Sequence, residues 1–445
     1  MKKPLTPGNP DRVPKSAQQE LERAFHANDL DTIRRVVESY PAARAMIDAP
    51  VFPFDAPAIV HFAGRGDLDM IDLLLDLGAD PNRRSAWWAG GFHALHHARG
   101  AVAERLMERG AVPDACAAAQ MDRRDLLLEM LETDAARVHE RGGDGQTPLH
   151  FARSREVVDL LLERGADIDA RCVDHRSTPA EWMLQGQRGV GRFAVAEYLA
   201  ECGASVDVFL AAALGRTDRL RSLLEADPTL TERRTSHGEY GEKPPSSFHI
   251  YTWTIGENRS PLQVAAQFEQ AEALDLLRTF ASPRDRLIAA CSQARAQEAA
   301  GLLREWPRLV EQLSPEDQRA LPDAAWAGNL AAVELMLSIG FDPAATGQDG
   351  GTALHCAAWQ GAVACVEAAL RHPGARRLIE ARDRVHGSTP LGWCCHGARH
   401  SRNGAGDYPA VARLLLEAGA QPGPNLEDAP REVLAVIRSR SRRRS

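Results

Sequence analysis

Apolar residues recur along the chain in short runs at helical spacing. Ile71, Leu74 and Leu75 fall on one face of a helix, and Val157, Leu160 and Leu161 repeat the pattern further on. Several such runs stop at a glycine, in Gly78-Ala79-Asp80, Gly165-Ala166-Asp167, Gly340-Phe341-Asp342 and Gly419-Ala420-Gln421. A glycine there takes the left-handed conformation that ends a helix. Before several of the runs along the chain stands a second signal. Thr147-Pro148-Leu149-His150 returns as Thr352-Ala353-Leu354-His355 and Thr389-Pro390-Leu391-Gly392, and more loosely as Ser260-Pro261-Leu262-Gln263 and Thr178-Pro179-Ala180-Glu181. Thr or Ser caps a helix by accepting a free backbone N–H, and proline at the next position has no N–H to lose. The pattern predicts pairs of helices, each pair unable to bury its apolar face without a neighbour.

The Thr-Pro-Leu-His and Leu-Leu-x-x-Gly-Ala-Asp elements resemble the ankyrin repeat over roughly Gln18 to Gly423. The resemblance implies an all-α solenoid of about twelve helix-turn-helix units of about 33 residues, with β-hairpin-like fingers between them. First helices are expected near Gln18, Pro57, His93, Pro113, Thr147, Thr178, Val208, Ser260, Arg286, Arg319, Thr352 and Thr389, with a capping helix over Pro430–Ser439. Residues 1–17 form a flexible leading segment, 18–207 and 208–423 the two halves of the array, and 424–445 the cap and a basic tail. The turn between helices is shortened in Thr147–Asp167 and His93–Ala111. Insertions lie in the finger 231–259 and at 397–408, and long loops of this kind tend to be functional or disordered. Ile250-Tyr251-Thr252-Trp253, Thr389-Pro390-Leu391-Gly392-Trp393 and Gly406-Asp407-Tyr408-Pro409 are also similar to a group of bacterial ankyrin-repeat proteins of unassigned activity.

Composition narrows the class. The 445 residues are 44% hydrophobic and 26% charged, with a formal net charge of −8 spread along the chain, which argues against a nucleic-acid partner. Eight scattered cysteines without a C-x-x-C pair fit a reduced, cytoplasmic protein. Pro7–Gln18 is polar where a secretory signal would be apolar, and no membrane span is expected.

In an ankyrin stack, the positions after the small-residue pair of each first helix face a concave groove. Here these are Ala324-Ala325 then Trp326, Ala357-Ala358 then Trp359, and Cys394-Cys395 then His396, with the two tryptophans 33 residues apart. Further back the rung holds Ser292, Gln267, Ala213 and Gln185, so the aromatic part belongs to the last three units. Tryptophan is enriched at binding hot spots. Trp393 and Asp323 border the same place. Phe248-His249-Ile250-Tyr251-Thr252-Trp253 alternates as a hairpin strand would, which aims His249, Tyr251 or Trp253 over the groove. The insertion beginning at Gly397 adds His400 and ends at Tyr408. Trp87-Trp88 offers a second, lesser contact patch.

Among the fifteen histidines, His150, His355 and the pair His96-His97 sit where the ankyrin imidazole stabilises a turn. Cys394 and Cys395 occupy small-residue slots, and adjacent helical residues diverge by roughly 100°, so Cys394-Cys395-His396 is read as packing rather than as a metal site. Gly186–Gly191 follows a helix rather than a strand and reads as a loop. No metal or cofactor is expected, and no catalytic motif is present. The leading expectation is a monomeric scaffold that binds a protein or peptide through its C-terminal groove. The alternative is a small-molecule site or enzyme there, with His396 and His400 paired to Asp407 or Asp323 as acid and base. The run Ser439–Ser445 is read as a solvated basic tail.

Overall fold

The computed structural model describes residues 13–185, 191–235, 250–401, 403–423 and 429–444. His249, Gly186–Val190, Arg402 and most of the long finger insertion lie outside the described residues. The chain divides into two compact units, one of residues 1–214 with 234–257 and the other of residues 215–233 with 258–445.

Both units are built from helix pairs. In the first they include Ala58–Arg65 with Leu68–Asp76, and Ala115–Gln120 with Arg124–Thr133. In the second, Pro261–Gln267 pairs with Ala271–Phe280, Pro283–Ser292 with Ala296–Glu305, and Ala320–Trp326 with Leu330–Ile339. Ala353–Trp359 with Val363–Arg371, and Pro390–His400 with Tyr408–Ala418, complete its series before the last helix, Arg431–Arg444. The apolar stripes go where their spacing directs them: Ile71 and Leu74 are fully buried, as are Leu161, Val333 and Leu415. Each such side chain contributes about 1.5–3 kcal/mol relative to exposure. Val433 and Ile437 of the last helix are buried too, closing the apolar core of the second unit. No helix among the described residues is long and apolar enough to cross a membrane.

Local signals act as their chemistry requires. Gly78, Gly165, Gly340 and Gly419 carry φ of 95°, 88°, 100° and 118° at the ends of second helices. At the starts of first helices, Thr147 donates its backbone N–H to His150 Nδ1 at 3.1 Å, and Thr352 does the same to His355 at 3.2 Å. Glu181, Gln263 and Asp317 replace the imidazole in other units and accept the same kind of backbone hydrogen bond. With Nδ1 an acceptor, Nε2 carries the proton and donates to the next finger: His150 to Ser177 O at 3.0 Å and His355 to Ser388 O at 3.2 Å.

The structure corrects several expectations. In Thr147–Asp167 it is the first helix that is short, four residues over Pro148–Phe151, and the segment near His93 keeps only a 3-10 turn, Ala94–His96. Among the described residues the fingers hold isolated antiparallel bridges, Phe52–Ala56 and Thr346–Thr352, and no extended strand. Tyr251 and Trp253 are not on a strand either, because Tyr251–Thr254 is a single helical turn. Tyr251 is fully buried, its ring 5.4 Å from Phe209, and its hydroxyl lies 3.0 Å from both carboxylate oxygens of Asp207. A large apolar ring with a hydrogen-bonded hydroxyl gains more by anchoring the insertion than by facing solvent. The helix beginning at Pro390 runs through Gly397 to His400, so the expected insertion at 397–408 is helical over its first four residues.

Tyr251→Phe removes the phenol donor from Asp207, which still caps Val208–Leu214 through Leu210 N–H. Chemical denaturation should show a loss of about 1–2 kcal/mol; an unchanged midpoint would mean that the hydroxyl is not needed to hold the insertion.

Candidate functional site

The site lies wholly in the second unit, on three consecutive first helices. Trp326 and Trp359 are the last residues of their helices and occupy one slot in successive repeats. Their rings stand nearly parallel, 6.1 Å apart and inclined by 14°, and both are half-buried. Trp393, from the next helix, meets them edge-on at 6.5 Å and 5.9 Å. That approach depends on a residue without a side chain: a Cβ on Gly397 would lie 2.3 Å from the carbonyl oxygen of Trp359.

Trp393 is held from behind. It is buried, its ring also touches His355, and its indole N–H donates to Asp383 Oδ2 at 2.9 Å. Asp383 organises the adjoining finger by accepting backbone N–H bonds from Val385 at 2.9 Å, His386 at 2.5 Å and Ser388 at 2.8 Å. Burial alone would raise its carboxyl, but the hydrogen bonds from His386, Trp393, Ser388 and Val385 outweigh that and hold it below its ordinary value.

The result is a cleft of about 340 Å³ lined by Trp326, Trp359, Trp393 and His396, with Asp349, His386, Ser388 and Gly392 completing it. His396 is exposed, its ring 5.4 Å from Trp359 and 4.2 Å from that of His400. Asp349 and His386 reach toward each other from successive fingers, Oδ2 to Nε2 at 3.7 Å. Three indole walls and a polar rim suit an apolar or cationic group, since aromatic faces attract cations.

The other sequence candidates lie elsewhere. Asp323 pairs with Arg319 at 3.4 Å and lines a separate polar depression with Arg259, Gln263 and Gln267. Asp407 caps Tyr408–Ala418 by accepting from Ala410 N–H at 2.9 Å. Tyr408 is buried and its hydroxyl bonds Ser401. Tyr251 is buried within the first unit, so the expectation that it covers the groove is wrong; Trp253, in the same unit, is 67% exposed. Of the acids in the acid–base alternative, Asp323 is thus engaged with Arg319 and Asp407 with a helix N-terminus. Trp88 and Phe54 are exposed near each other in the first unit, Phe54 packing against Trp87 at 5.1 Å.

Sequence reasoning missed Asp349, His386 and Asp383. Asp349 and His386 each stand three residues before the capping threonine of their unit, Thr352 and Thr389. Each also stands eight residues before the small-residue pair of its repeat, at Ala357 and Cys394, so either reference puts them in one slot.

The comparisons agree with the repeat. A family profile described as ankyrin repeats in three copies matches residues 321–425, the whole of the aromatic cleft, and one described as a single ankyrin repeat matches residues 144–173. No curated protein matches the chain.

Asp383→Asn should cost about 2 kcal/mol at neutral pH, because a neutral amide cannot accept all the bonds the carboxylate takes. The folded value is depressed, so this contribution is complete above the ordinary carboxylate value of 3.8 and is lost as pH falls through the folded value. Denaturation midpoints of wild type and variant should therefore converge below that value; a gap independent of pH would refute the charged role.

Proposed function

Because the chain is an ankyrin-repeat protein, and such repeats are generally protein-interaction modules, we propose that it binds a protein or peptide through the aromatic cleft of its C-terminal repeats. The observation that carries this reading is the pair of half-buried indoles, Trp326 and Trp359, stacked beside an open cleft. Tryptophan supplies a large, stiff contact surface at small entropic cost, and such residues dominate interface energetics. Trp393 is the fixed floor, while Asp349, His386 and His396 are the polar rim. A partner segment presenting an aliphatic or basic side chain fits this arrangement: the rings cover the stem and Asp349 meets a positive head.

A second reading, a small-molecule site in the same cleft, draws on its volume, which is at the low end of ligand pockets. The repeat class and the elongated rung of inward positions favour the peptide.

Peptides selected on the full chain from a displayed library should bind the Trp326→Ala/Trp359→Ala variant at least about 30-fold more weakly, from a hot-spot loss of about 2 kcal/mol or more. Peptides that bind both forms equally would place recognition elsewhere.

A further inference from the structure

The slot three residues before the capping threonine has a second pair of occupants. In the first unit these are Asp144, three before Thr147, and His175, three before Thr178. They stand in successive fingers as Asp349 and His386 do. The two places differ at the neighbouring position, four before the threonine: Asp174 in the first unit, Val385 in the second. They also differ in burial. Asp349 and His386 side chains are 41% and 60% exposed, whereas Asp174 and His175 side chains are 7% and 10% exposed and Asp144 as a residue 5%.

Asp144, Asp174 and His175 each place one donor atom within 4.8 Å of the others. His175 Nε2 and Asp174 Oδ2 are 3.3 Å apart, and two donors held about 2.1 Å from one ion lie about 3.0–3.4 Å apart. The backbone fixes the cluster: Asp144 has φ of 56°, and its carbonyl accepts the N–H groups of Val173 at 2.9 Å and Asp174 at 3.2 Å. Independently, Asp144 Oδ1 is buried without a hydrogen-bond partner among the described residues. Leaving a buried carboxylate oxygen unsatisfied is costly unless something neutralises it.

We propose that Asp144, Asp174 and His175 form a binding site for a first-row divalent cation that ties two successive fingers of the first unit together. Two carboxylate oxygens and one imidazole are a donor set for manganese, zinc or cobalt, with water in the remaining positions. The Asp349–His386 pair, with valine in place of the third donor, is the natural control within the same chain.

The test uses Mn2+ alone, because carboxylate and imidazole hold it and the cysteine thiols do not. The full chain, stripped with chelator, is titrated while free Mn2+ is followed by electron paramagnetic resonance. One equivalent should bind, and His175→Gln should weaken it by at least about 10–100-fold. Asp174→Val, which copies the second pair and alters a chain position that valine already fills at Val385, should do the same with an unchanged circular dichroism spectrum. Asp349→Asn should leave binding intact. Absence of a bound equivalent, or binding that survives both His175→Gln and Asp174→Val, overturns the proposal and leaves a protonated carboxyl pair as the account of the cluster.

Discussion

Within each unit of this chain a buried imidazole ties one repeat to the finger of the next. His150 accepts the N–H of its own capping threonine through Nδ1 and donates through Nε2 to Ser177 O, and His355 repeats the arrangement toward Ser388. Burial lowers the His150 value to about 3, so the ring remains neutral and keeps the one tautomer that serves both bonds. His96 uses the same geometry with Asp114 as the acceptor. This contact fixes where a finger sits over the helix before it. The regular spacing of finger and groove positions in those units follows from it.

From that constraint the cleft is built with few special residues. His355 supports Trp393, the Ser388 carbonyl accepts the His355 hydrogen bond while Ser388 lines the cleft, and Asp383 holds both the finger backbone and the Trp393 indole. The exposed part of the site is thus carried by a buried hydrogen-bonded frame. Such a frame keeps aromatic surface open to a partner with little loss of side-chain freedom on binding.

The repeats and the stacking of Trp326 on Trp359 were legible because they depend on local chemistry and on a fixed period. Capping threonines, terminating glycines and a 33-residue offset are properties of the chain itself. The polar half of the cleft was not legible, because Asp349 and His386 share a slot in their repeats but no residue type, and only stacked fingers bring their side chains to 3.7 Å. Tyr251 misled for another reason. Alternation over a few residues is a weak sign of a strand, and whether its hydroxyl finds a buried acceptor 44 residues away, Asp207, is a tertiary fact. The metal-type cluster was hidden likewise, since Asp144 meets Asp174 and His175 only once adjacent fingers are stacked.

The central claim is that recognition takes place at the indoles of the second unit. Nuclear magnetic resonance of the indole Nε1–H signals, assigned by single substitution and followed on adding a selected peptide, tests it most directly. Shifts concentrated at Trp326, Trp359 and Trp393, with Trp88 and Trp253 unmoved, are the expected result. Shifts at Trp88 or Trp253 with the three cleft indoles unchanged would contradict it.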